Sequence, residues 1–89
     1  MKVQRLSDEY LVELGVRIKL VRTYLKYDQK QLSQYLRTAQ SQVSKIEAGK
    51  AEPSLYHLMM VKRLADTDDY LRENLSWSWL LEGTGKGVF

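Results

Sequence analysis

Leu11, Leu14, Ile18, Val21 and Leu25 recur at three- and four-residue steps, and that spacing lays all five along one stripe of a helix. The pattern predicts a helix over about residues 8–26, with Ser7 as N-cap and Asp8 and Glu9 in the first turn, where the helix dipole favours carboxylates. Similar signals recur at short intervals along the chain. Asp28 and Gln31 make a capping-box pair ahead of Leu32 and Leu36. Val43 and Ile46 carry a third short helix, which Gly49 closes. After Pro53, Ser54 caps a fourth helix with Leu55, Leu58, Met59, Val61 and Leu64 or Ala65 on its apolar side. Ser76 caps "WSWLLEG", and Gly83, Gly85 and Gly87 loosen the chain end. The acidic stretch "DTDDYLREN" reads as a short helix or a loop. No period-two run or internal repeat competes with this pattern. The predicted fold is all-α and compact, with five helices and room for an extra short one near residues 67–74.

At 89 residues the chain makes one small domain, with a core expected over residues 8–82 and a flexible tail over 83–89. Without cysteine there is no disulfide, thiolate nucleophile or cysteine zinc site, and the lone His57 makes no metal site by itself. With no Gly-rich phosphate loop or carboxylate cluster either, no enzyme activity, metal or cofactor is expected. No apolar run approaches the roughly twenty residues of a membrane span, and "MKVQRLSDEY" lacks the apolar centre of a secretory signal. The expectation is a soluble cytoplasmic protein with no membrane partner.

The net charge of +3 is unevenly spread. Residues 26–50 carry Lys26, Lys30, Arg37, Lys45 and Lys50 against only Asp28 and Glu47, whereas residues 66–75 carry four acids against Arg72. Such polarity suits a protein with one anion-facing side. At 100° per residue, Val43, Ile46 and Glu47 share one side of the third helix. Ser41, Ser44, Lys45 and Ala48 take the other, with Gln40 at the N-terminal end between the two. A narrow packed base thus leaves a face of small, hydrogen-bonding side chains uncovered. A face of this kind fits the DNA major groove, where Gln can bond adenine through two atoms and Lys can bond guanine or a phosphate.

From Leu14 to Gly49 the chain resembles the helix-turn-helix domain of the lambda-repressor/Cro superfamily, often called the XRE family. "LGVRIKLVR" is similar to its first helix, with Ile18 and Arg22 in place, "YDQKQLSQYL" to its second, with Gln29 and Leu32, and "QSQVSKIEAGKAEPS" to its recognition helix and the loop beyond. The closing "LSWSWLLEGTG" is similar to the last helix of many phage-type repressor headpieces. The resemblance implies that Gln29 is a phosphate clamp at the start of the second helix and that Arg22 and Glu47 form a structural ion pair. Gln40, Ser41, Ser44 and Lys45 are then the base-facing set, and Arg37, Gly49 and Lys50 serve the DNA backbone. Three features depart from the pattern: Arg37 replaces a turn glycine, Ala39 replaces the hydroxyl residue that caps the recognition helix, and Asp66–Glu73 is inserted before the last helix.

The remaining conspicuous residues have plainer roles. His57 is expected at the surface or core boundary, Met59 and Met60 as core filler, and the scattered tyrosines at core edges. Trp77, Trp79, Leu81 and Phe89 gather more apolar surface at the chain's end than one helix readily buries. They are expected to make a dimer or partner interface, with Trp79 serving either there or in the core. The expected function is sequence-specific binding of double-stranded DNA at a palindromic operator by a homodimeric transcriptional regulator, most simply a repressor. The alternative is an antitoxin or accessory protein that binds a partner protein and uses DNA binding for autoregulation.

Overall fold

Ser7, Asp28, Ser54, Asp68 and Ser76 each accept a hydrogen bond from the backbone amide three residues on, and so fix where five of the helices start. The computed structural model describes residues 7–85 and 87–89. Its elements are α1 (Asp8–Tyr24), α2 (Gln29–Leu36), α3 (Gln40–Glu47), α4 (Leu55–Ala65), α5 (Asp69–Asn74) and α6 (Trp77–Glu82). No strand occurs among the described residues. The acidic stretch is therefore a helix, α5, capped by Asp68. The first helix stops at Tyr24, short of residue 26, because Lys26 adopts a left-handed conformation (φ 62°). The Tyr27 amide then donates back to the Arg22 carbonyl.

The core is built from the predicted stripes. Leu14, Ile18 and Val21 of α1 meet Leu32 and Leu36 of α2, Val43 and Ile46 of α3, and Val61, Leu64 and Ala65 of α4. Leu71, Leu75, Trp79, Leu80 and Val88 complete it. Each large aliphatic side chain taken out of water in this way contributes about 1.5–3 kcal/mol before the loss of chain entropy is subtracted.

Two expectations need correction. The core does not end at residue 82: Val88 is 3 % exposed, the Tyr70 hydroxyl donates to its carbonyl, and the Phe89 ring lies 5.4 Å from Tyr24 and 5.6 Å from Trp79. Two apolar residues at the chain end thus find a place that the glycines before them did not suggest. Of the two places open to Trp79, it takes the one in the core. Met59 is exposed along with Leu55 and Tyr56, so on α4 the filling falls to Leu58 and Met60, both partly buried. His57 is at the boundary, as expected, and among the described residues its Nδ1 has no hydrogen-bond partner.

Arg17 joins α1 to α6. Its side chain is buried, with Nε donating to the Leu80 carbonyl at 2.8 Å and Nη2 to the Leu81 carbonyl at 3.1 Å, and the Tyr10 hydroxyl donates to Leu81 as well. A guanidinium at the last carbonyls of a helix is favoured by the dipole and by the unpaired acceptors there.

Candidate nucleic-acid interface

α2 and α3 are joined by a tight turn whose geometry comes from Arg37. This residue succeeds Leu36 in the left-handed region (φ 57°, ψ 46°), and the Thr38 amide donates to the Ser33 carbonyl at 3.0 Å, closing α2. That conformation costs an L-residue about 1–2 kcal/mol, whereas glycine adopts it without steric strain but loses more chain entropy on folding. Arg37→Gly is therefore expected to stabilise the fold by about 1 kcal/mol at most, a rise in Tm of up to about 8 °C in thermal denaturation. A fall in Tm would mean that the arginine side chain supports the turn. Ala39 then enters α3 with extended geometry and no side-chain cap, as its chemistry predicts.

Three contacts set the seat of α3. Gly15 brings α1 against the end of α3 so closely that a Cβ there would lie 2.4 Å from the Ile46 carbonyl oxygen and 2.6 Å from that of Glu47. Glu47, buried on the packed side, takes a two-pronged ion pair from Arg22: Nε donates to Oε2 at 2.6 Å and Nη2 to Oε1 at 2.9 Å. Arg22 directs a third donor to the Tyr27 carbonyl at 2.8 Å. Gln29 Nε2 also donates to Glu47 Oε1, at 3.1 Å. One carboxylate thus joins α1, the first residue of α2 and the last residue of α3. At the far end, Gly49 (φ 75°) makes the left-handed stop, with its own amide bonded to Ile46 and the Lys50 amide to Lys45. A Cβ on Gly49 would collide with Val12 of α1.

With α3 so held, Val43, Ile46 and Glu47 are buried, while Gln40, Ser41, Ser44, Lys45 and Ala48 are exposed. The uncovered face is the one the helical period predicts. Arg37 lies just before it in the chain and Lys50 just after it, both exposed, and Lys30 is exposed on α2. None of Lys30, Arg37, Lys45 and Lys50 pairs with a carboxylate among the described residues. Gln29 is half-buried, and one of its two amide N–H bonds is committed to Glu47, leaving the other for a ligand. The second group of expected residues belongs to other elements. Trp77 and Phe89 are exposed, Leu81 is half-buried with its carbonyl held by Arg17 and Tyr10, and Trp79 is in the core.

Gly15 and Arg17 are the supporting residues that the sequence patterns did not single out. A glycine in mid-helix lowers helix propensity, so its presence there points to a packing reason. Arg17 carried a fainter one, a charge bordered by Leu14, Ile18 and Val21 of the buried stripe.

A family model described as helix-turn-helix matches residues 18–65, from within α1 to the last residue of α4 and over more than half of the chain. The chain belongs to that family, the XRE or lambda-repressor-like helix-turn-helix proteins. It is accordingly a DNA-binding transcription-regulator domain, of a family whose work is regulation rather than catalysis. No curated protein and no solved structure matches the chain. Among the described residues, no helix is long and apolar enough to cross a membrane.

Proposed function

We propose that the protein represses transcription as a homodimer on a palindromic operator, with the Gln40, Ser41, Ser44 and Lys45 face of α3 in the major groove. The observation that carries this reading is the division of α3 into a packed base and an uncovered polar face, flanked by cations with no carboxylate partner among the described residues. Gln40 and Lys45 read base edges. Arg37 and Lys50, the amide ends near Gly49, and the second N–H of Gln29 hold phosphates. A single eight-residue helix reads few base pairs, whereas two copies related by a two-fold axis read half-sites about 34–36 Å apart. Trp77 and Phe89, exposed at the end of the chain, supply apolar surface for the contact between copies. The same surface would serve the alternative, a protein partner.

Selection of bound sequences from a random duplex pool tests the function. The expected result is a palindrome with half-site centres about one helical turn apart, and a pool that yields no motif would overturn the reading. Single substitutions separate readout from anchoring. Gln40→Ala or Lys45→Ala should each cost about 1–3 kcal/mol on the selected duplex and relax the preference at one base-pair position. Lys50→Ala should weaken all duplexes alike and reduce the salt slope by about one. If Gln40→Ala and Lys45→Ala bind selected and random duplexes as the parent does, α3 is not the reading helix.

A further inference from the structure

α6 carries Trp77, the residue assigned above to the contact between copies, on a helix of only six residues. Its middle is anchored in the core by Trp79 and Leu80. Apolar packing is non-directional, so this anchor sets the depth of α6 more than its tilt. The tilt is fixed at the C-terminal end. There the Leu80 carbonyl accepts from Arg17 Nε at 2.8 Å, and the Leu81 carbonyl accepts from Arg17 Nη2 at 3.1 Å and from the Tyr10 hydroxyl. Gly83, left-handed at φ 70°, closes the helix beside the same guanidinium: a Cβ on it would lie 3.0 Å from Nη1. Arg17 is 9 % exposed and makes no ion pair among the described residues. Burying a charge balanced only by carbonyls costs more than filling the same space with an apolar side chain, so what the arginine adds is direction. The helix that bears it also seats α3, through Gly15 before it and Arg22 after it.

We infer that Arg17, with Tyr10 beside it, is a positioning residue that sets the spacing between operator half-sites. The inference rests on the operator reading above and on its contact between copies through Trp77. In such a dimer each α3 is tied to the two-fold axis through α6, then Arg17, then α1. With half-sites about 34–36 Å apart, each α3 lies about 17 Å from the axis. A change of about 10° in the tilt of α6 moves it about 3 Å, close to the rise of one base pair, about 3.4 Å. Bonds that hold the tilt therefore hold the register of the two half-sites without touching DNA. The base preference within one half-site belongs to the exposed face of α3 and does not depend on them.

The test titrates duplexes that carry two copies of the selected half-site, at the selected spacing or one base pair closer or farther, and a duplex with a single half-site. All measurements are made where circular dichroism shows each variant folded. The parent should favour the selected spacing by at least about tenfold, because a misplaced half-site forfeits simultaneous engagement. Arg17→Met, which keeps the stem and removes the donors, should narrow that ratio to within about threefold. Its affinity for the single half-site should stay within about twofold of the parent, since no contact with DNA is lost. Tyr10→Phe, which removes one bond, should fall between the two, and Arg17→Lys, which restores a donor, should lie closer to the parent than Arg17→Met. A general loss of stability would weaken binding to every duplex alike, so the ratio reports the tilt and not the fold. If Arg17→Met does not fold, Tyr10→Phe decides alone. A parent that binds all spacings equally overturns the operator reading and this inference with it. A parent that discriminates, with Arg17→Met and Tyr10→Phe discriminating just as sharply, overturns this inference alone.

Discussion

Glu47→Ala is expected to lower the melting temperature by more than about 12 °C, one of the two largest effects foreseen for a single substitution in this chain. The buried carboxylate accepts three hydrogen bonds, two from Arg22 and one from Gln29. Its removal leaves the Arg22 guanidinium in a site that is only 10 % exposed, with the Tyr27 carbonyl as its remaining partner. Stranding one member of a buried pair costs roughly 3–5 kcal/mol, even where the intact pair adds little net stability. A domain of this size has about 4–13 kcal/mol in all, so much of the fold's margin is at stake. The physical cause has its own signature. Arg22→Met with Glu47→Leu replaces both charges by apolar groups and should recover a large part of the loss, since neither leaves a counter-charge behind. Thermal denaturation of the two variants decides the matter. A single variant that melts within a few degrees of the parent would mean that the pair is not the joint between α1 and α3.

The joint also bears on DNA binding, because it is the same carboxylate that orients Gln29 at the start of α2. With Glu47 gone, Gln29 loses the partner that fixes its amide, and any phosphate contact made by its second N–H must overcome the entropy of ordering the side chain. Part of the binding loss in Glu47→Ala would therefore persist at temperatures where the variant is folded.

What the sequence disclosed and what it hid divide along the range of the interactions. The starts of α1, α2, α4 and α6 were legible because each depends on one side chain and an amide three residues away, as with Asp28 and Gln31, whose capping box is present in full. The exposed face of α3 was legible because helical period alone separates Val43 and Ile46 from Ser41, Ser44 and Lys45. The Arg22–Glu47 pair came from family resemblance, and the structure supplies its two-pronged geometry. The rest required contacts between distant residues. Arg17 is buried because carbonyls 63 and 64 positions away satisfy it. Val88 reaches the core beside Tyr70, 18 residues earlier, although three glycines suggested a loose end. Met59 and Met60 are chemically identical, and only the rotation of α4 in its seat exposes the first and partly buries the second.

Gly15→Ala is expected to destabilise the protein and to displace α3, the helix proposed to read DNA, even though alanine is the better helix former by about 1 kcal/mol. On an isolated helix the substitution would stabilise. Here the added Cβ would stand 2.4 Å from the Ile46 oxygen, 2.6 Å from the Glu47 oxygen and 2.9 Å from the Glu47 carbonyl carbon. All three are backbone atoms, so no change of side-chain rotamer can relieve the collision. α1 and α3 must separate, and the buried side chains of both then lose close packing. Overpacking of a core typically costs about 1–3 kcal/mol, and a clash with rigid backbone belongs at or above the upper end of that range. Allowing for the propensity gain, Gly15→Ala should lose about 2 kcal/mol or more, equivalent to at least about 8 °C in Tm. Val16→Ala, one position along and half exposed, should stay within about 0.5 kcal/mol of the parent and serves as control. Because the strain falls on the carbonyls at the end of α3, the substitution should also weaken operator binding when both proteins are fully folded. Thermal denaturation and duplex titration at low temperature measure the two effects. A Gly15→Ala protein with a raised Tm would show that helix propensity outweighs the contact, and that α1 and α3 are further apart than 2.4 Å from Cβ to oxygen implies.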